Sequence, residues 1–126
     1  MKVINHVGYV VRSIENFRQT LPPLDLIKAV DDPVQRARIE LLGLSSGSAI
    51  ELIEPQDKQS FTWNFLEKYG EGIHHVCYEG YSMVELEKIF RERRMIRLRG
   101  PIPAVLFERD VIFAMTKSKA IVEFII

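Results

Sequence analysis

The sequence predicts an α+β protein built from two similar halves, each running strand, helix, then three strands. The first sign is that the chain repeats itself. Displaced by 69 positions, His6-Val7-Gly8-Tyr9 falls on His75-Val76-Cys77-Tyr78 and Ser13 falls on Ser82, giving four identities in eight columns without a gap. Such self-similarity marks one supersecondary unit used twice. The second sign is helical spacing of apolar residues soon after each repeat begins. The third is that the later part of each half consists of apolar or alternating runs of strand length, broken by turn residues.

The elements follow in order. A strand opens the chain around His6. Ser13 then stands as N-cap to the helical pattern Ile14, Phe17, Leu21. Residues 26–30, 38–44 and 49–53 read as three strands, separated by Asp31-Asp32-Pro33 and by Ser45-Ser46-Gly47-Ser48. Residues 60–69 read as a linking helix with Phe61, Phe65, Leu66 and Tyr69 on its apolar side and Gly70 as its stop. The second half opens on a strand around His75. Ser82 with Glu85 forms a capping box ahead of Met83, Leu86, Ile89 and Phe90. Strand candidates then lie at 95–98, 104–108, 111–115 and 120–126, broken by Gly100-Pro101, Arg109-Asp110 and Lys117-Ser118-Lys119, with Pro101-Ile102-Pro103-Ala104 read as a rigid connector. The modules span about 1–58 and 70–126 of a single domain, 1–126.

Bulk properties narrow the function classes. A chain of 126 residues with 47% hydrophobic content is one domain's length and fills a real core. Seventeen basic residues balance seventeen acidic ones, so no overall field attracts nucleic acid or an anionic membrane. The apolar runs are too short to span a bilayer. The single cysteine, Cys77, leaves neither a disulfide nor a Cys-rich zinc pattern, which suits a reducing compartment. The opening residues pass directly into strand-like sequence rather than a signal peptide, so the expected location is the cytoplasm. The expected partners are a small-molecule substrate and a second copy, since apolar residues on both faces of the first and last strands call for burial in a homodimer.

Each half begins with a strand histidine and ends with a strand glutamate: His6 and Glu51, then His75 and Glu123. The separations are 45 and 48 residues, a difference one loop absorbs. Glutamates inside Ala49-Ile50-Glu51-Leu52-Ile53 and Ile121-Val122-Glu123-Phe124-Ile125 are costly to bury without a positive partner. One divalent cation held by two neutral imidazoles and two carboxylates satisfies both at one point. Oxygen and imidazole donors admit cobalt, manganese, nickel or zinc. His74 points away from His75 by the period of a strand and is expected to be structural. Cys77 shares the phase of His75 and reads as a small packing residue.

Three segments carry a family resemblance: Ile4-Asn5-His6-Val7-Gly8-Tyr9-Val10-Val11, Ile50-Glu51-Leu52-Ile53-Glu54-Pro55, and Phe65-Leu66-Glu67-Lys68-Tyr69-Gly70-Glu71-Gly72-Ile73-His74-His75-Val76. Together they resemble the vicinal oxygen chelate superfamily, which includes the glyoxalases, and within it the methylmalonyl-CoA epimerase branch. The resemblance implies paired βαβββ modules forming an open, cupped mixed β-sheet barrel, with a divalent metal ligated at the positions of His6, Glu51, His75 and Glu123. Near the C-terminus the chain departs from the epimerases, reading Phe107-Glu108-Arg109-Asp110-Val111-Ile112-Phe113 where they carry a glycine-rich segment and a His-Pro element.

Four protein ligands on a metal that prefers six leave two positions for substrate oxygens, which suits proton transfer beside a carbonyl. Glu40, eleven residues before Glu51, matches a strand position at which some epimerases place a catalytic glutamate, and a solvated strand residue is the alternative. Glu123 is the second catalytic candidate, as a ligand carboxylate, and Glu79 a weaker one. The expected function is a metal-dependent epimerase or isomerase acting on a small oxygen-rich or acyl-thioester substrate. A glyoxalase-like lyase, a drug-sequestering binding protein and an accessory domain of another biosynthesis are the alternatives.

Overall fold

The computed structural model describes residues 1–44 and 47–126; Ser45 and Ser46 of the expected Ser-Ser-Gly-Ser turn lie outside the described residues. The elements are β1 (Val3–Val10), α1 (Ile14–Arg18), β2 (Asp25–Asp32), β3 (Ala37–Gly43), β4 (Ala49–Pro55), α2 (Trp63–Tyr69), β5 (Gly72–Glu79), α3 (Met83–Arg93), β6 (Ile96–Ala104), β7 (Arg109–Met115) and β8 (Ile121–Ile125). Strand, helix and three strands therefore occur twice, as the repeat predicts, with α2 between.

Two compact units contain them. His6–His74 form one, and Met1–Asn5 with His75–Ile126 form the other. In the first the strands run in hydrogen-bonded order β2-β3-β4-β1, and in the second β5-β8-β7-β6. The pairs β1/β4 and β5/β8 are parallel and the remainder antiparallel, so each half is a mixed sheet of the same design. The first five residues belong with the second half rather than the first. Lys2 forms an ion pair with Glu85 at 2.7 Å, and Asn5 Nδ2 donates to Glu79 at 2.9 Å.

Each half packs one face of its sheet against its own helix. Val11, Ile14, Leu42 and Leu52 form the first core, with Tyr9 and Phe17 against it. Leu86, Phe90, Ile112, Ala114, Val122 and Phe124 form the second. The helices begin where the sequence places them. Ser13 accepts from the Asn16 amide at 3.2 Å, and Ser82 with Glu85 makes both bonds of the capping box. α1 stops at Arg18, short of Leu21, because Pro22 disfavours helical geometry in the residue before it; the Leu21 amide instead closes a turn on the Arg18 carbonyl. Gly70 ends α2 at φ 77°, a left-handed conformation that costs glycine little.

The second half differs from expectation in one stretch. Pro101-Ile102-Pro103-Ala104 is the end of β6 rather than a connector. An edge strand has an unpaired side on which proline's missing donor is harmless. Of the expected strand 104–108, Ala104 ends β6 and residues 105–108 form a turn, closed by the Glu108 amide on the Ala104 carbonyl at 2.9 Å with Glu108 at φ 52°. Its apolar character reflects burial of Leu106 beneath the turn. The expected break at Arg109-Asp110 is the start of β7. Gly100 sits at φ 102°, where an added Cβ would run into the Val111 carbonyl oxygen and stand 3.0 Å from Ile112 Cα. Gly100→Ala should therefore destabilise the protein by about 2 kcal/mol or more, read as a lower urea midpoint with an unchanged m-value.

Candidate metal centre

The two histidine–glutamate pairs are built the same way. β1 lies parallel to β4 with Gly8 opposite Glu51, which puts His6, two residues earlier, on the face of Glu51. β5 lies parallel to β8 with Cys77 opposite Glu123, which puts His75, two residues earlier, on the face of Glu123. Each pair is thus the same diagonal across a parallel ladder. His6 Nε2 stands 3.4 Å from Glu51 Oε1, and His75 Nε2 stands 3.1 Å from Glu123 Oε1. His6, Glu51, His75 and Glu123 are 1%, 4%, 1% and 2% exposed. Burial at this level is expensive for a carboxylate without a positive partner, so each diagonal is a place that favours a cation or a proton. In the second pair, Phe113 packs edge-to-face on the His75 ring at 5.3 Å between centroids and limits how the imidazole can turn. Phe113 was not singled out in the sequence; the phase of Val111-Ile112-Phe113, with Ile112 on the helix side, is the signal that marks it.

A sequence profile of the Glyoxalase/Bleomycin resistance protein/Dioxygenase superfamily matches residues 5–113. The chain belongs to this superfamily. It is 32% identical over 80 residues to the uncharacterized protein YqjC of Bacillus subtilis (strain 168), a match that takes in 62% of this chain and spans just over half, 57%, of that relative. The crystal structure of hypothetical protein BH1468 from Bacillus halodurans C-125 superposes with a TM-score of 0.84 at 28% identity, covering 98% of this chain and 93% of that one. Methylmalonyl-CoA epimerase from Mycobacterium tuberculosis superposes with a TM-score of 0.81 at 20% identity, covering 97% and 85%. At that identity the epimerase establishes the likeness of fold.

His74 is buried and edge-on to Phe65, with 4.9 Å between ring centroids, a packing role as expected. Cys77 is buried beside Glu123 on the adjoining strand. Glu79 accepts from Asn5 and pairs with Arg109, and these two partners, Asn5 first, hold its carboxyl below the usual range. A carboxylate held in that way is a poor base.

Glu40 lies on the face opposite to Glu51. Opposite residues of an antiparallel pair share a face, and β3 places Leu41, not Glu40, opposite Glu51; Glu40 faces Leu52 of the helix-side core. It therefore points away from Glu51, toward α1. There it lies 3.4 Å from Arg18 and 3.6 Å from Arg38, in a cavity of about 550 Å³ also lined by Ile14, Glu15 and Glu54. Spacing along the chain does not fix the phase across a hairpin, because the turn sets the register and one residue of slip exchanges the faces.

Proposed function

We propose that this protein is a divalent-metal-dependent epimerase or isomerase that moves a proton on carbon beside a carbonyl, in a small oxygen-rich or acyl-thioester substrate. The observation that carries the proposal is the duplicated buried diagonal. His6 with Glu51, and His75 with Glu123, are all buried, and the proposal is that one ion takes a ligand atom from each of the four. Two imidazole nitrogens and two carboxylate oxygens fit a borderline divalent ion, and cobalt, manganese, nickel and zinc all accept this set. Lewis-acid stabilisation of the negative charge that develops as the proton leaves is the chemistry such an ion supplies.

The protein's own residues carry the rest. His6 and His75 offer Nε2, with the His75 ring oriented by Phe113. Glu123 has one oxygen, Oε1, toward His75, and its second oxygen is the atom assigned to take and return the substrate proton. With Glu40 facing the other way and Glu79 hydrogen-bonded to Asn5 and paired with Arg109, Glu123 is the carboxylate assigned to the role. The likeness of fold to methylmalonyl-CoA epimerase supports the substrate class.

Purified protein, stripped and reconstituted, should bind about one divalent ion per chain by elemental analysis. Failure to retain cobalt, manganese, nickel or zinc, with circular dichroism unchanged, would falsify the metal-site reading. The catalytic reading is tested by screening acyl thioesters and 2-oxo acids for solvent deuterium uptake at the α-carbon.

A further inference from the structure

The strand registers extend each glutamate into a row across its own half-sheet. In the first half the row runs Gly8, Glu51, Leu41, Lys28 over β1, β4, β3 and β2. In the second it runs Cys77, Glu123, Phe113, Arg99 over β5, β8, β7 and β6. Members of a row share a face, so each half carries a cation on its edge strand, on the face of its glutamate and two strands away. Two strand spacings place the two Cα positions of each such pair roughly 10 Å apart.

In both halves a break in register puts the cation there. The pairing slips between Leu26 and Lys28, and again between Arg97 and Arg99. Continued without a slip from Leu26 opposite Leu42, the ladder would put Lys28 opposite Glu40, on the helix side. Continued from Arg97 opposite Ala114, it would put Arg99 opposite Ile112, a residue of the second core. Each bulge thus turns a cation from the helix face to the glutamate face, a use of bulges common beside active sites. Charges, prolines and bulges all protect an exposed edge. β2 already carries Asp25 and Asp31, and β6 carries Arg97, Pro101 and Pro103, so edge protection does not require that both bulges bring a cation to the glutamate face.

We propose that Lys28 and Arg99 are anion-recognition residues, one in each half, and that the substrate is a small acid carrying a carboxylate or phosphate a few bonds from the oxygens that meet the metal ligands. This rests on the metal-site reading above. Arg99 offers a planar fork suited to two oxygens of one anionic group, and Lys28 a point charge. Both chemistries are shared by carboxylates and phosphates, which the test separates.

The test is calorimetric titration at low salt of glutarate, 3-phosphonopropionate and uncharged dimethyl glutarate into metal-free and cobalt-loaded protein. Wild type, Lys28→Gln, Arg99→Gln and the charge-keeping Lys28→Arg and Arg99→Lys are compared, with cobalt content and melting temperature measured for each. Wild type should bind at least one of the two anions and not the diester. Each Gln variant should bind that anion about tenfold more weakly or worse, with cobalt content unchanged, and the charge-keeping variants should recover part of the loss. Preference between glutarate and the phosphonate then tells carboxylate from phosphate. Equal affinity for anion and diester, or equal affinity in wild type and Gln variants, overturns the proposal. So does a set of Gln variants that only aggregate while the charge-keeping variants bind like wild type and the diester competes. Loss of cobalt binding in wild type defeats the metal reading instead, and the metal-free titrations still decide this one.

Discussion

His75→Ala should lose the metal, with an affinity for cobalt at least about a hundredfold weaker than wild type. Four-ligand sites in small proteins hold zinc with roughly 10–16 kcal/mol, so one donor accounts for about 3 kcal/mol, or two powers of ten. The effect should also appear in stability. At a free metal concentration of about 100 Kd, binding stabilises the folded wild type by about 2.7 kcal/mol. For a chain of this size that raises the melting temperature by roughly 10 °C. His75→Ala should show little of this rise, and His6→Ala should behave alike because each histidine occupies the matching diagonal of its own half. Equal cobalt-induced shifts in wild type and both variants would remove these histidines from the site.

Glu123→Gln should lower kcat by at least roughly a hundredfold at saturating metal, the lower end for losing a positioned base. Glutamine keeps nearly the volume and one carbonyl oxygen toward His75, so folding should survive, while the group able to take a proton at the second oxygen is gone. Glu40→Gln is the matched comparison. Its carboxylate lies on the opposite face against Arg18 and Arg38, and its variant should exchange substrate deuterium near the wild-type rate. The reverse outcome, slow exchange in Glu40→Gln with normal exchange in Glu123→Gln, would show that proton transfer does not run on the face of the diagonals.

Much of the fold was legible because its signals are local. Ser13, Ser82 with Glu85, and Gly70 mark helix ends by hydrogen bonds and dihedral preferences reaching only a few residues, and all three act where expected. Residues 104–108 misled because an apolar run looks alike in a strand and under a buried turn; only the neighbours that cover Leu106 distinguish them. The extent of β6 was hidden for a related reason, since proline stops a central strand and not an edge, and edge position belongs to the assembled sheet.

The sequence by itself determined that the protein is a duplicated βαβββ chain and that His6, Glu51, His75 and Glu123 are its equivalent polar positions. A repeat is a one-dimensional property, and burying a glutamate within an apolar strand carries its cost whatever the strand pairs with. Only the tertiary structure decided which way Glu40, Lys28 and Arg99 point. A side chain's face alternates with every residue, so a turn or a single-residue bulge reverses it, and the register that counts those residues exists only once the strands have paired.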